Sequence, residues 1–517
     1  MESYGLGLFL SLWCGAFIFT RIGLMRLFKL AGQPAFMAWI PVLSWWYWIK
    51  LVGRPSWYMI GMLIPGLNIL FSFNITLDLL RSFGKNKFWE QLVGTVFSFI
   101  LFPTFIFDNK LKFLGAAGSK EWRKNNVKNT SYTREWADAI LFAAYVAGGM
   151  RALYFDLYQI PTPSMESNLM VGDYLVVSRA KVGMRIPMTP ITVPIVAPKE
   201  IMGMKAYSDL VELPYMRLPG WYTIKNNDVI VFNWPADGEE FPTDKKDNYV
   251  KRCLGIPGDK FEMKNGNVFI NGKLLQPVGK IQKRFLALMK EYVTEDFLLE
   301  NNLGDFTFPN PKIAQTYVEA GRREGRMVIP YHFYTYQENF EKLKKHPSVL
   351  SIFEDVIDDG TGRPRFPDTN NTVFLKHKWD MNNYGPIYLP KRNETIALTK
   401  DNWDFLKLAI NKYENNNIVC LNGKFYEDGG NGKEITSYTF KMGYYWMIGD
   451  NRYNSLDSRY WGYVPEDHII GKPLFTFFSL KMVMNIDEET NEPFIGHGGP
   501  EYVSKGIRWN KILKMID

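Results

Sequence analysis

The chain has 517 residues, a formal net charge of +8 and an aromatic content of 16%, with the aromatic residues concentrated in its first third. Its length allows more than one domain. The sequence contains no zinc-finger or helix-turn-helix pattern, so the positive charge does not indicate nucleic-acid binding. It also contains no Cys/His metal spacing, no GxGxxG segment after a strand and no Walker loop. We therefore expect no nucleic-acid partner, no metal and no cofactor.

Apolar runs dominate the first third of the chain. They lie at residues 4–20, 34–49, 55–77, 91–107 and 137–157. The longer runs approach the ~20 residues that cross a ~30 Å hydrocarbon core. Basic residues follow the first run, whereas a cleaved signal peptide would have them before it. The loop 108–136 is rich in Lys and Arg, so we predict that it is cytoplasmic. This orientation requires that one of the apolar runs before the loop does not cross the membrane. We choose the run 91–107.

The sequence changes character after residue 158. Short apolar runs predict strands at Asp173–Val177, Asp228–Phe232 and Asn267–Ile270, and the last continues into the turn signal Asn271-Gly272. Residues 280–436 instead mix helical patterns with Asn- and Asp-rich loops. The helical patterns lie at 281–302, 310–325, 335–346 and 401–413. This part of the chain therefore predicts a mainly-β domain, a barrel or folded sheet, with a large mixed α/β insertion.

These patterns divide the chain into six segments. They are a polytopic α-helical membrane region with its basic cytoplasmic loop at 1–136, an anchor helix at 137–158, the first part of the β domain at 159–279, the insertion at 280–436, the second part of the β domain at 437–483, and a tail at 484–517. In the tail, Trp509, Ile512 and Leu513 lie beside basic residues. Contact with a membrane surface and packing against the β domain are both open for them.

The cysteines are Cys14, Cys253 and Cys420. Cys14 lies in an apolar run and is predicted to be a buried small hydrophobe. Cys253 and Cys420 both lie in the part that we expect outside the membrane. Their spacing allows a disulfide without requiring one, so their pairing stays open.

A serine and a lysine are the candidates for chemistry. Ser164 lies in Pro161-Thr162-Pro163-Ser164-Met165, without a GxSxG segment and without a histidine placed in a recognisable triad. Its base can be a lysine if burial lowers the lysine pKa from ~10.4. Lys251 is that candidate. Alternation along a strand would point Lys251 and Arg252 to opposite faces, so that one can be buried while the other stays in water.

Three segments together resemble the type I signal peptidases (leader peptidases), which are serine-lysine proteases. The segments are Gln159-Ile160-Pro161-Thr162-Pro163-Ser164-Met165 with Gly172-Asp173, Tyr249-Val250-Lys251-Arg252 with Gly255-Ile256-Pro257-Gly258-Asp259, and Gly449-Asp450-Asn451-Arg452-Tyr453-Asn454-Ser455-Leu456-Asp457-Ser458-Arg459-Tyr460-Trp461-Gly462. The resemblance covers roughly 137–275 and 440–480. It departs from the family after the nucleophile, where Glu166-Ser167-Asn168-Leu169 replaces the usual Pro-Thr-Leu pattern. The insertion is also larger than the motifs require.

The resemblance implies a role for each matching residue. Ser164 is the nucleophile, Lys251 is the general base, Ser455 orients the lysine, and Thr162 forms the oxyanion hole with the backbone N–H of Ser164. The residues implied to support the site structurally are Asp457, Arg459 and Arg252. The residues implied to bind substrate are Gln159, Ile160, Pro161, Met165, Leu169, Tyr249 and Val250.

The implied function is that of a membrane-bound serine endopeptidase that removes N-terminal signal peptides from exported preproteins. Its catalytic domain would lie on the outer, periplasmic face of the bacterial inner (plasma) membrane, and the chain would cross that membrane several times. Its implied partners are preprotein signal peptides, the lipid bilayer and the protein-export machinery. Two alternatives are open: a dedicated Ser-Lys processing protease with a narrow substrate set, and a non-catalytic membrane scaffold that keeps the motif residues for packing.

Overall fold

The computed structural model of the protein describes residues 2–64, 67–126, 132–166, 168–190, 192, 199–201, 203–279, 281–355, 365–367, 376–487, 489–496 and 499–516. Residues 127–131 of the predicted basic loop lie outside this described part. The chain forms two units, one from Met1–Asp156 with Met184–Leu218 and the other from Leu157–Gly183 with Pro219–Asp517. The six predicted segments stay a prediction.

Helices build most of the first unit. They are α1 (Glu2–Leu30), α2 (Pro41–Leu51), α3 (Tyr58–Leu63), α4 (Leu67–Ser82), α5 (Phe88–Val96), α6 (Ser98–Thr104), α7 (Lys120–Asn126) and α8 (Tyr132–Leu153). Leu24 and Phe28 of α1 are fully buried in one cluster with Phe102 of α6. Asp78 of α4 is also buried, and Arg54 pairs with it at 2.5 Å. Apolar packing and this buried ion pair together hold the helices of the unit.

The predicted polytopic membrane N-terminus is wrong. In the part of the chain that the structure describes, no helix combines the length and the apolar character that crossing a bilayer requires. The run 55–77 is divided between α3 and α4, and the run 91–107 between α5 and α6, so each piece is shorter than the ~20 residues of a span. The predicted anchor 137–158 falls largely in α8, whose first residues, 132–138, include three charged side chains.

Strands dominate the second unit. In chain order, the strands up to residue 290 are β1 (Phe155–Gln159), β2 (Asp173–Ser178), β3 (Glu200–Ile201), β4 (Met204–Lys205), β5 (Val229–Asn233), β6 (Asn248–Gly255), β7 (Lys260–Lys264), β8 (Asn267–Ile270), β9 (Lys273–Leu274) and β10 (Lys283–Met289). Of these, the paired strands β3 and β4 belong to the first unit. The strands β2, β5 and β8 lie where the apolar runs predict them.

The remaining elements belong to the insertion and to the end of the chain. The strands are β11 (Phe306–Thr307), β12 (Ile329–Thr335), β13 (Val349–Glu354), β14 (Tyr384–Tyr388), β15 (Thr395–Ala397), β16 (Val419–Leu421), β17 (Lys424–Tyr426), β18 (Glu434–Ile435), β19 (Ser437–Thr439), β20 (Tyr444–Ile448), β21 (Val464–Pro465), β22 (Ile469–Met484), β23 (Ile495–Gly496), β24 (Gly499–Pro500), β25 (Tyr502–Ile507) and β26 (Lys514–Met515). The helices are α9 (Glu295–Glu300), α10 (Pro311–Arg323), α11 (Gln337–Leu343), α12 (Lys400–Lys407) and α13 (Ser458–Trp461).

A large sheet with β22 in its middle carries the motif residues. Among the described residues its strand order is β1-β2-β22-β5-β6-β20-β21, and β25 and β26 also pair with β22. Both faces of this sheet are covered, as β5 shows. Val229 and Val231 of β5 lie in one buried cluster, whereas Ile230 and Phe232 lie in another. A strand that is buried on both faces can be apolar at every position, which explains the uninterrupted apolar run of β5. The mainly-β part of the fold prediction therefore agrees with the structure.

The described residues of 280–436 form both helices and strands, and the first element differs from the prediction. The predicted helix at 281–302 is wrong, because this stretch contains β10 followed by the short helix α9. β10 is one of the two inner strands of a sheet with the order β11-β12-β10-β13. Because β10 is buried in the core, its sequence is apolar without a strict alternation of polar and apolar residues. The periodicity of such a sequence cannot distinguish a buried strand from a buried helix. The helices α10, α11 and α12 lie where the helical patterns predict them.

The three cysteines are free thiols. Cys253 is fully buried on β6, whereas Cys420 is partly buried on β16. Cys253 and Cys420 therefore do not pair. Cys14, predicted to be buried, is exposed.

Candidate active site

Ser164 lies on a single 3-10 turn, Pro163–Met165, that follows β1. Pro163 takes the first helical position, where its fixed φ favours the turn and its missing N–H leaves no donor unsatisfied. The turn is fastened by Asn451, whose backbone N–H donates to the Ser164 carbonyl (3.2 Å) and whose side-chain amide donates to the Pro163 carbonyl (3.3 Å). Ser164 is consequently held in place with only 8% of its surface exposed.

Lys251 reaches Ser164 from the strand β6. β6 lies between β5 and β20, and Lys251 pairs with Ile230 across the ladder to β5. Its Nζ lies 2.6 Å from Ser164 Oγ and 5.3 Å from the centroid of the Tyr249 ring. Only 3% of Lys251 is exposed. The two candidate residues, separated by 87 positions in the chain, therefore meet in hydrogen-bond contact.

Burial lowers the pKa of Lys251 from 10.5 to about 8. The cause is the loss of hydration of the ammonium form, and Arg459 acts in the same direction. Asp457 and Asp450 oppose the change because their negative charges favour the ammonium. Burial wins, so the neutral amine is accessible near neutral pH, and a neutral amine can accept the proton of a serine hydroxyl.

Thr162 and Ser455 both line the cavity around these two residues. Thr162 Oγ1 lies 3.4 Å from Ser164 Oγ. Ser455 is buried and makes no hydrogen bond to Lys251; its hydroxyl instead helps to lower the pKa of Asp457. The structure thus brings the hydroxyl of Thr162 to the serine. The roles of Thr162 in an oxyanion hole and of Ser455 in orienting the lysine stay predictions.

Arg252 is buried like Lys251, so the expectation that one of the two stays in water is wrong. Its exposed fraction is 2%. The reason is a partner: Arg252 Nε and Nη2 donate to the two carboxylate oxygens of Asp450, both at 2.8 Å. Asn168 donates to the same carboxylate at 2.7 Å. A guanidinium that is paired in this bidentate way can be buried without leaving an uncompensated charge.

Asp457 and Arg459 form a second buried ion pair. Arg459 Nε and Nη2 donate to the Asp457 carboxylate at 2.8 Å each, and Gly449 N–H donates to it at 3.2 Å. Burial alone would raise the pKa of Asp457, but Arg459 and these hydrogen bonds lower it overall. Gly449 must be a glycine here, because a Cβ would overlap the Ser164 carbonyl oxygen and Ser455 Oγ.

The residues around Ser164 and Lys251 enclose a cavity of about 370 Å³. Most predicted substrate-binding residues line it, namely Gln159, Ile160, Pro161, Met165, Tyr249 and Val250. Leu169 does not; it is buried in a cluster with Ile160 and Met165 behind the lining. Within the described ranges, no group of three or more His, Cys, Asp or Glu side chains is arranged to hold a metal ion.

Sequence reasoning missed part of this site. Asp305 and Thr307 of the insertion and Tyr502 of β25 line the same cavity. Glu166, which follows the nucleophile where the family pattern changes, is only 2% exposed. No local pattern marks these residues, because their approach depends on how distant strands pair. Gly449 and Asn451 did have a signal, since both lie in a segment that carries the resemblance.

Comparison with known proteins places the chain in a family. The sequence profile described as signal peptidase, peptidase S26, matches residues 133–323 and 404–478, and a family of unknown function matches residues 36–116. The chain is 39% identical to signal peptidase I of Helicobacter pylori (strain J99) over 374 residues, which cover 69% of this chain and 84% of that protein. It is 24% identical to signal peptidase I of Buchnera aphidicola subsp. Schizaphis graminum over 346 residues, which cover 66% and 72% of the two chains.

A third relative, signal peptidase I of Bacillus amyloliquefaciens, is 26% identical over 190 residues, covering 37% of this chain and 74% of that protein. The family profile spans Ser164, Lys251 and the 449–461 segment. The family profile matches half of the chain. The alignment with the Helicobacter pylori enzyme, at 39% identity, covers 84% of that protein. The chain therefore belongs to the signal peptidase family, peptidase S26, and is a hydrolase, a serine endopeptidase of the signal peptidase I type.

Proposed function

We propose that the protein removes signal peptides from exported preproteins with a Ser164–Lys251 dyad. The observation that carries this proposal is the 2.6 Å contact between Ser164 Oγ and the Nζ of a buried lysine whose pKa is lowered to about 8. A serine hydroxyl needs a base at neutral pH, and a neutral lysine within hydrogen-bond reach can provide it.

The reaction follows from this geometry. Neutral Lys251 takes the hydroxyl proton while Ser164 Oγ attacks the scissile carbonyl carbon. The developing oxyanion accepts hydrogen bonds from Thr162 Oγ1–H and from the Ser164 backbone N–H. Lys251 then gives its proton to the leaving amine, which completes the acyl-enzyme, and a water deprotonated by Lys251 hydrolyses the ester. In this scheme Ser455 positions Lys251, and Arg252, Asp457 and Arg459 stabilise the surrounding structure.

Substrate would bind as an extended segment between the chain at 159–162 and the start of β6. Ile160, Met165 and Val250 offer small apolar pockets for side chains such as Ala, and Leu169 packs behind them. Gln159, Pro161 and Tyr249 complete the lining. The edges of these segments carry backbone N–H and C=O groups that an extended peptide can use.

We further propose that the enzyme works at the outer face of a bacterial plasma membrane, beside the protein-export machinery. Trp509, Leu513 and Met515 support a contact with the bilayer, since they are 74%, 66% and 66% exposed in the segment that ends with β26, which pairs with the middle of β22. Exposed aromatic and aliphatic side chains beside basic residues favour the interface of a bilayer. Such a contact would hold the enzyme and a membrane-inserted signal peptide in one plane.

The dyad is tested by Ser164→Ala, Lys251→Ala and Lys251→Arg in a cleavage assay with a labelled preprotein. Each should lower kcat by at least about 10³-fold, because neither the nucleophile nor the base can be replaced by the rest of the site. The arginine variant should fail as well, since its guanidinium stays protonated. Matched controls are Ser437→Ala and Lys273→Ala, both exposed outside the cavity. Cleavage at wild-type rate by any of the three site variants would exclude the dyad.

A further inference from the structure

Part of the cavity around Ser164 is not used by the mechanism above. This part is a polar wall outside the two segments that would hold the substrate backbone. It is lined by Asp305, Thr307, Tyr453, Asn454 and Tyr502. Asp305 and Thr307 lie at the start of β11, so this strand contributes directly to the lining of the candidate active site.

Asp305 is the charged residue of this polar wall. Only 3% of it is exposed. Tyr502 Oη–H and the Asn454 side-chain amide both donate to its Oδ2, at 3.2 and 3.3 Å. Among the described residues, none donates a hydrogen bond to Oδ1. Oδ1 is therefore the carboxylate oxygen that a donor entering the cavity can bind.

The position of Asp305 is fixed by its neighbour in the chain. The Gly304 carbonyl accepts a hydrogen bond of 3.1 Å from the backbone N–H of Met484, at the end of β22. A Cβ on Gly304 would lie 2.7 Å from Glu166 Oε1, so a larger residue here would require the buried Glu166 side chain to move. The insertion is thereby fastened to the main sheet at the point where Asp305 meets the cavity.

Burial and the repulsion between Glu166 and Asp305 determine which of the two carboxyl groups is charged. Burial first, and then the charge of Asp305, raise the pKa of Glu166 to about 8, against the opposing effects of Arg508, Gln282 and Lys511. Burial raises the pKa of Asp305 to about 6. Two carboxylates that interact in a buried site lose their protons one after the other. At pH 7 the negative charge of the pair therefore lies mainly on Asp305.

We propose that Asp305 is a specificity-determining residue, which selects substrates that carry a hydrogen-bond-donating side chain close to the scissile bond. An amide, hydroxyl or ammonium group can donate to Oδ1, whereas a carboxylate would face the charge of Asp305 in a poorly solvated cavity. This inference rests on the proposed function, because it requires that the peptide cut by Ser164 occupies the cavity. It gives the start of β11 a role in substrate choice.

The experiment is a scan of one labelled substrate with Ala, Gln, Lys or Glu at each of the positions flanking the cut. At one position at least, kcat/KM with Gln or Lys should exceed that with Glu by about tenfold, the effect of one charge-assisted hydrogen bond. Asp305→Asn should bring this ratio close to one. The matched control is Asp296→Asn, an exposed residue of α9 in the same insertion, which should leave the ratio unchanged. A general loss of activity cancels in the ratio.

A second readout uses only the wild-type enzyme and does not depend on the folding of a variant. The ratio of kcat/KM for Lys over Ala should fall as the pH is lowered from about 7.5 to about 5, because Asp305 gains a proton while Glu166 is already neutral and Arg508 and Lys511 stay charged. The inference would be overturned if the wild-type enzyme preferred Gln or Lys over Glu at no position. It would also be overturned if the Lys-over-Ala ratio of kcat/KM did not change with pH. An unchanged ratio in Asp305→Asn would do the same. If Ser164→Ala still cut these substrates, the proposed function itself would fail.

Discussion

At the scale of single residues, one proton on Lys251 links activity to pH. With its pKa lowered to about 8, Lys251 is mostly an ammonium below that pH and cannot act as a base. We expect kcat/KM to rise about tenfold per pH unit below about pH 8 and to level off above it. A pH profile with a labelled preprotein measures this. The pKa of Glu166 is also raised, so Glu166→Gln is the control: its pH profile should keep the inflection near pH 8. A flat profile in this variant would contradict the role of Lys251.

The same proton also affects stability, and the sign follows from linkage. Between the folded pKa of about 8 and the unfolded value of 10.5, the unfolded chain binds more protons, so the free energy of unfolding rises with pH. Below about pH 8 the folded protein carries the full cost of burying the ammonium, about 3 kcal/mol for this change in pKa. Lys251→Met should therefore be more stable than the wild type at pH 7, with a gain that shrinks between about pH 8 and about pH 10.5.

At the scale of secondary structure elements, a buried ion pair joins β6 to the segment that follows β20. Arg252 and Asp450 are 3% and 4% exposed in their side chains. Removing one partner leaves the other charge buried without compensation, so Asp450→Asn should lower the free energy of unfolding by about 3–5 kcal/mol. Arg252→Met combined with Asp450→Leu should recover most of that loss, because no isolated charge remains. Equilibrium denaturation of the single and double variants measures both effects.

The matched control for this experiment is an exposed ion pair of the same unit. Lys424 and Glu434 lie 3.0 Å apart with 61% and 41% of their side chains exposed. Glu434→Gln should change the free energy of unfolding by less than about 1 kcal/mol, since solvent already screens the pair. Equal losses in Asp450→Asn and Glu434→Gln would show that burial does not determine the contribution of the Arg252–Asp450 pair.

The elements themselves were predictable where local pattern is decisive. β2 and β5 follow from short apolar runs bounded by turn residues, and α10 follows from its polar–apolar periodicity. β10 was mistaken for a helix, because a strand that is buried on both faces has no polar–apolar alternation to reveal it. The predicted membrane spans failed for a related reason. An apolar composition indicates burial, but it does not determine whether an apolar run stays one helix or is divided into two.

At the scale of the whole molecule, the proposed contact with a bilayer gives a prediction about Trp509. The wild-type protein should float with vesicles of phosphatidylethanolamine and phosphatidylglycerol in a density gradient. Trp509→Ser should weaken this binding about tenfold, since an aromatic side chain that enters the interface contributes on the order of 1.5–3 kcal/mol. The vesicle concentration at which half of the protein floats measures the effect.

Trp221 supplies the control for this prediction. Trp221 and Trp509 are both 74% exposed, so their substitution removes the same amount of accessible aromatic surface. Trp221→Ser should leave flotation unchanged, because Trp221 lies before β5 and not in the tail. If both variants floated like the wild type, the tail would not be the part of the chain that contacts the bilayer.

The sequence by itself determined the family, the mainly-β fold of the catalytic part and the two residues that we propose for catalysis. The resemblance in short segments was sufficient for Ser164 and Lys251, since those segments keep their residue types and order. Only the tertiary structure decided which other side chains reach the cavity. The contacts of Asp305 with Asn454 and Tyr502 join positions 149 and 197 residues apart. Such contacts depend on the pairing of distant strands, which local patterns of polarity do not encode.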